Sequence, residues 1–130
     1  MASIPVDLKY SKTHEWVRVA GDTATIGITD HAQAELGDIT YLDLPESGRN
    51  LVAGSQFGEV ESVKAVSELF APVSGEVLEA NTEILNTTEA VNEDPFGNGW
   101  LIKVRMSNPA ELSDLLSPDD YHTHAEAGGH

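Results

Sequence analysis

In "EVESVKAVSELF", residues 59–70, a single lysine stands between valine-rich flanks that carry carboxylates. Lys64 is the only lysine between Lys12 and Lys103, with Glu61 three residues before it and Glu68 four after. An amine in this setting can solubilise a turn, act as a Schiff-base nucleophile, or serve as a point of covalent attachment. Schiff-base chemistry needs a neutral amine. Exposed lysines as a class titrate near ~10.4, so roughly one in a few thousand is unprotonated at pH 7. Glu61 and Glu68, if they face the ammonium, favour the charged form further, and no second lysine or apolar pocket nearby promises the opposite. Amine catalysis is disfavoured by magnitude. Attachment asks less: acylation at the end of a flexible four-carbon stem removes one charge without disturbing a core. A group tethered in this way reaches successive enzymes already held.

The other chemistry-bearing residues form no comparable pattern. His14 and His31 have no spacing that sets them beside a carboxylate and a second histidine as metal ligands, which favours packing or surface roles. His122, His124 and His130 fall near the C-terminus, where a solvated end suffices to explain them. Gly97 and Gly99 lie between a loop and a strand, not at a helix start, and so make no phosphate cradle. The chain has no cysteine, which removes disulfide scaffolds, thiol catalysis and cysteine-based metal sites.

The elements that must position Lys64 can be read from periodicity. "HEWVRVAGDTATIGIT" (14–29) is two alternating runs joined at Ala20-Gly21-Asp22, a hairpin signal. A short helix follows, with Asp30 as its cap, Gln33 at the reciprocal capping-box position and Gly37 as its left-handed stop. "DITYLDLPESG" is a strand ending in a turn, and "QFGEVESV" and "AVSELFAPVSG" are strands on either side of Lys64. "GEVLEA" is another short strand, and residues 86–99 form a polar, turn-rich loop. "WLIKVRM" alternates, with Trp100, Ile102, Val104 and Met106 on one face. The end is helical, with Asn108 capping Pro109 and an apolar stripe of Leu112, Leu115 and Leu116. Ser117-Pro118-Asp119-Asp120 can open a further turn or helix before a tail. Many short strands with terminal helices imply a β-rich α+β domain.

An internal repeat bears on the lysine. "ITYLDLPESG" (39–48) aligns with "VSELFAPVSG" (66–75) at an offset of 27 residues. Leu42 meets Leu69, Pro45 meets Pro72, and Ser47-Gly48 meets Ser74-Gly75. Further on, Gly54 meets Asn81, two residue types that tolerate positive φ, and Phe57 meets Ile84. Lys64 falls at the junction of the copies. If a two-fold axis relates them, a tight turn there pushes the lysine into solvent at one end of a flattened barrel or sandwich.

At 130 residues the chain reads as one domain, 1–130, with about 117–130 as a C-terminal tail. Seven basic against 22 acidic residues give a formal net charge of −15. That sign repels nucleic acid and anionic membranes and favours partners with basic docking surfaces. It also opposes self-association, so a monomer is expected. The N-terminal residues lack signal-peptide or transit character, and no apolar run approaches a membrane span. The chain reads as cytosolic; a mature organelle protein whose presequence has been removed would look similar.

The segments "THEWV", "ATIGITDHAQAELGDI", "LPESG", "GEVESVKAVSELFAPVSGEVLEAN", "VNEDPFGNGWLIKV" and "NPAELSDLL" together resemble the glycine cleavage system H proteins, over about residues 7 to 120. The resemblance implies a lipoyl/biotinyl-type barrel-sandwich hybrid with added helices, and lipoic acid in amide linkage to Lys64. It implies a carrier, not a stand-alone enzyme. Its lipoyl arm takes the aminomethyl group of glycine from the P protein, a pyridoxal-phosphate decarboxylase. It passes the carbon to the T protein, an aminomethyltransferase, and is reoxidised by the L protein, a dihydrolipoamide dehydrogenase. Glu61, Gly48 and Gly75 resemble positions that shape the hairpin for the lipoate-attaching enzyme; a purely structural role for the two glycines is an equal alternative. Glu15 and Glu68 are candidates to meet the protonated amine of the loaded arm, or else are solvated strand residues. The family pattern leads one to expect proline where Thr88 stands, which implies a looser loop. Lipoyl domains of 2-oxo acid dehydrogenase acyltransferases show Asp-Lys-Ala where this chain has "SVKAV", and biotin carriers flank the lysine with methionine. An H-like lipoyl donor, or an unmodified binding module, would share the same hairpin.

Overall fold

The computed structural model describes residues 3–127. The first hairpin forms as its alternation predicts. After a two-residue strand β1 (Lys9–Tyr10), β2 (Glu15–Ala20) pairs antiparallel with β3 (Thr23–Ile28) across the Gly21-Asp22 turn. Helix α1 (Asp30–Leu36) follows, but its cap is Thr29, whose hydroxyl accepts from Ala32 N. Asp30 is instead the first helical residue, and its carboxylate accepts from Gln33 Nε2 and Ser3 N. Both residue types can cap; Thr29 takes the role from an extended backbone, and its hydroxyl is also bound to Tyr121.

Strands β4 (Ile39–Asp43), β5 (Asn50–Leu51), β6 (Gln56–Ser62), β7 (Val66–Phe70) and β8 (Gly75–Ala80) then carry the repeat. Strands β4 and β7 flank β6 in a three-stranded sheet, and β5 and β8 pair with each other in the second sheet. Leu42 and Leu69 are both buried, as are Phe57 and Ile84. The equivalence then fails in two places. Ile39 is buried where Val66 is exposed, and Gly54 has φ 87 where Asn81 has φ −80. Asn81 turns its amide inward to donate to Asn98 O and Trp100 O, and a 3₁₀ turn (Thr82–Leu85) replaces a second copy of β6.

The 86–99 region is not only loop. It holds α2 (Glu89–Glu93), with Val91 buried beneath it. Strand β9 (Ile102–Met106) completes the larger sheet, ordered β1-β2-β3-β9-β8-β5. Ile102, Val104 and Met106 face the main core as expected, whereas Trp100 packs with Trp16 and Phe96 in a second cluster. Pro109–Asp114 is a 3₁₀ helix that Asn108 does not cap through its side chain. Leu112 and Leu115 pack on the main core, and Leu116 on the second cluster.

The segment expected to trail off as a tail is docked. Ser117 caps α3 (Pro118–Glu126), whose Tyr121 is fully buried against Leu8, Tyr10 and Trp16. Its ring stacks on Tyr10 at 4.6 Å. His122 and His124 lie on this helix; His130 lies outside the described residues. The whole is a β-rich α+β molecule in which two antiparallel sheets close on one apolar core as a flattened barrel. Among the described residues no helix is long and apolar enough to cross a membrane.

Candidate functional site

The β6–β7 hairpin is held by five cross-strand pairs, from Gln56↔Phe70 to Glu61↔Val66, and turns at Val63-Lys64-Ala65. Ser62 builds the turn: its backbone N donates to Ala65 O at 2.8 Å, and its hydroxyl accepts from Lys64 N and Ala65 N. With the Lys64 and Ala65 amides satisfied locally, the turn can stand clear of the sheet. Val63, Lys64, Ala65 and Val66 are all exposed. Lys64 is the only cation on the three strands of this sheet and their connecting turn. One further bond ties the turn to the body, Val63 N to Asp38 O at 3.1 Å, just past the end of α1.

Glu61 faces Tyr41 and Val66 across the strands, half-buried, one row below the lysine. The next row is Asp43, Glu59 and Glu68, so this outer sheet face carries four carboxylates beside the exposed Tyr41 and Val66. Gly48 and Gly75 sit with β5, β8 and β9, away from the hairpin strands. Gly48 needs its hydrogen side chain for conformation, with φ 92 and open space around it. Gly75 needs it for room, since a Cβ would stand 2.0 Å from Arg105 O. Both glycines therefore have structural reasons of their own.

Glu68 lies on a groove of about 260 Å³ between α1 and β7, whose walls include His14, His31, Glu35, Leu36 and Phe70. Glu15 does not line it. Its residue is only 1% exposed, and its carboxylate accepts from the Ser11 and Thr13 hydroxyls and from Phe70 N. Glu15 is thus neither a solvated strand residue nor an open contact. It sits behind Thr13 and Phe70, which also border a second depression of about 510 Å³. Burial pushes its pKa up to about 7 despite those three donors.

The two histidines pack, as their spacing suggests. Their rings stack at 4.8 Å, and His14 Nδ1 shares a 2.7 Å hydrogen bond with the Tyr121 hydroxyl. His31 Nε2 is buried without a hydrogen-bond partner, 3.7 Å from Glu35 Oε1. Among the described residues, no group of three or more His, Cys, Asp or Glu side chains could hold a metal ion.

Two contributors escaped the sequence reading. Asn92, on α2, binds Ile39 N, Gly37 O and Gln33 Oε1. Thr88 donates its hydroxyl to Ile39 O at 2.6 Å, so the position expected to loosen the loop instead pins it. Only the short polar "NTTEAVN" stretch could have hinted at either.

Comparisons with known proteins agree with this architecture. The family described as glycine cleavage H-protein matches residues 8–127. A glycine cleavage system H protein of Rubrobacter xylanophilus is 60% identical over 121 residues, covering 93% of this chain and 94% of that protein. One of Carboxydothermus hydrogenoformans is 55% identical over 129 residues, covering 99% of each. The crystal structure of a glycine cleavage system H protein from Mycobacterium marinum superposes with a TM-score of 0.89 at 37% identity, covering 95% of this chain and 99% of that one.

Proposed function

Since the chain belongs to the glycine cleavage H-protein family, we propose that Lys64 carries lipoic acid in amide linkage and that the chain conveys the aminomethyl group of glycine between enzymes. The observation that carries this reading is Lys64 itself, a lone cation on an exposed turn whose Lys64 and Ala65 amides are already satisfied by Ser62. The surroundings fit an acylated lysine. Its Cε lies 3.6 Å from where a Cβ on Gly37 would be, and Leu36, the next residue, lines the α1–β7 groove. When bound, the lipoyl group supplies a disulfide that accepts a one-carbon amine and is later regenerated.

The chain's own residues present and shelter that group. Ser62 and the Val63–Asp38 bond orient the turn. Glu68, at the groove, is the carboxylate placed to meet a protonated amine there. Glu15 acts from behind, fixing Thr13 and the β7 backbone that form the wall. Glu61, beside the turn, is the side chain best placed to be read by the lipoate-attaching enzyme, whereas Gly48 and Gly75 contribute through the fold they permit. The partners are the P, T and L proteins of glycine cleavage, and the catalytic groups belong to them.

Intact mass after expression with lipoate supplied tests the reading. We expect a single lipoyl increment that maps to Lys64 and disappears in Lys64→Arg. A chain left unmodified by a host with active lipoylation would refute attachment. The lipoylated form should then support glycine–bicarbonate exchange with a P protein; failure there would point to a lipoyl donor for other complexes.

A further inference from the structure

Gly37, Asp38 and Ile39 form the joint between α1 and β4, and this joint touches both α2 and the lysine turn. On the α2 side, Asn92 uses its whole amide: Oδ1 accepts from Ile39 N at 2.9 Å, and Nδ2 donates to Gly37 O at 2.8 Å and Gln33 Oε1 at 3.0 Å. Thr88 adds its bond to Ile39 O. On the other side, Asp38 O accepts from Val63 N, while Lys64 N and Ala65 N donate within the hairpin to Ser62. Ser62, at the base of the turn, is also paired with Ile39 in the β4–β6 ladder, and the Val63–Asp38 bond is the tie that reaches the turn residues themselves. Gly37 adds a limit of its own: its φ of 78 suits glycine, and a Cβ there would stand in van der Waals contact, 3.6 Å, with the Lys64 stem.

We infer that Asn92 is a positioning residue for the modification of Lys64, holding the turn through the Gly37–Ile39 joint in the orientation a modifying enzyme reads. This rests on Lys64 being the attachment site. A turn that occupies its competent orientation only part of the time binds an enzyme more weakly by that fraction. Where that fraction is already small, loosening one hydrogen bond lowers it by roughly two- to tenfold. The loss falls on KM, because the enzyme recovers the orientation once the turn is seated.

The test uses the unmodified full chain with a lipoate-attaching enzyme, lipoate and ATP, following acylation by intact mass across chain concentrations. Asn92→Ala should raise KM for the chain by roughly two- to tenfold with kcat unchanged, and should speed hydrogen exchange at the Val63 amide. Asn92→Asp keeps the acceptor for Ile39 N but turns a carboxylate oxygen onto Gly37 O and Gln33 Oε1, so it should raise KM at least as much as Asn92→Ala. Val104→Ala, in the opposite sheet, controls for lost stability and should move neither readout while the chain stays folded. Equal KM values for Asn92→Ala and Val104→Ala, or unchanged Val63 exchange, would overturn the inference. If the wild-type chain is not acylated at Lys64, the attachment reading falls, and Val63 exchange alone decides whether Asn92 holds the turn.

Discussion

The Glu15 carboxyl has exchanged water for two hydroxyls and one backbone N–H, yet burial still raises its pKa from 4.5 to about 7. The unfolded chain releases this proton near 4.5, so between there and pH 7 the folded state binds more protons. Stability from this group is complete below about 4.5 and is lost as pH rises towards 7. Glu15→Gln should remove that component, by up to about 1.4 kcal/mol per pH unit. Urea unfolding across the interval checks it: the variant should gain on the wild type as pH rises, and parallel curves would contradict the assignment. Lys64 was legible in the sequence because everything that marks it is local: its isolation among acids, its flanking strands and its place between the repeats. Glu15 was not. A glutamate in an alternating run reads as solvated, and only the return of Phe70 across the barrel encloses it.

Elements with a strong period were legible for the same reason, and those held by tertiary contacts were not. The β2–β3 and β6–β7 hairpins follow from alternation and turn chemistry within about 16 residues. Helix α2 is short and polar, and it exists because Val91 is buried and Asn92 is bonded to the α1–β4 joint. Helix α3 could be read only as a turn or helix before a tail because its apolar content is slight; buried Tyr121 anchors it, with Ala125 on the same cluster and His124 Nε2 bonded to Lys12 O. The Tyr121 hydroxyl meets both His14 Nδ1 and Thr29 Oγ1, and burial pushes its pKa up to about 12. Tyr121→Phe leaves those two groups without that partner and should cost about 1–3 kcal/mol in chemical denaturation. An unchanged midpoint would mean that ring packing alone docks the helix.

Across the whole molecule, the formal charge of −15 is scarcely answered within the fold. Lys103 and Arg105 on β9 reach Glu79 and Glu76 on β8, but these exposed pairs contribute only about 0–1 kcal/mol each. Raising salt from about 0.01 M to 0.1 M shortens the screening length from ~30 Å to ~10 Å, which should relieve the self-repulsion and raise the melting temperature. A melting temperature that falls with added salt would show that local ion pairs outweigh the global repulsion. The repeat also relates Gly37 to Lys64. Gly37 and Lys64 stand at the same 27-residue offset as the two copies, each two residues ahead of its own, and they meet beside the turn. Glycine stands at one of these two positions and lysine at the other, so the pair offers one amine and a valency of one.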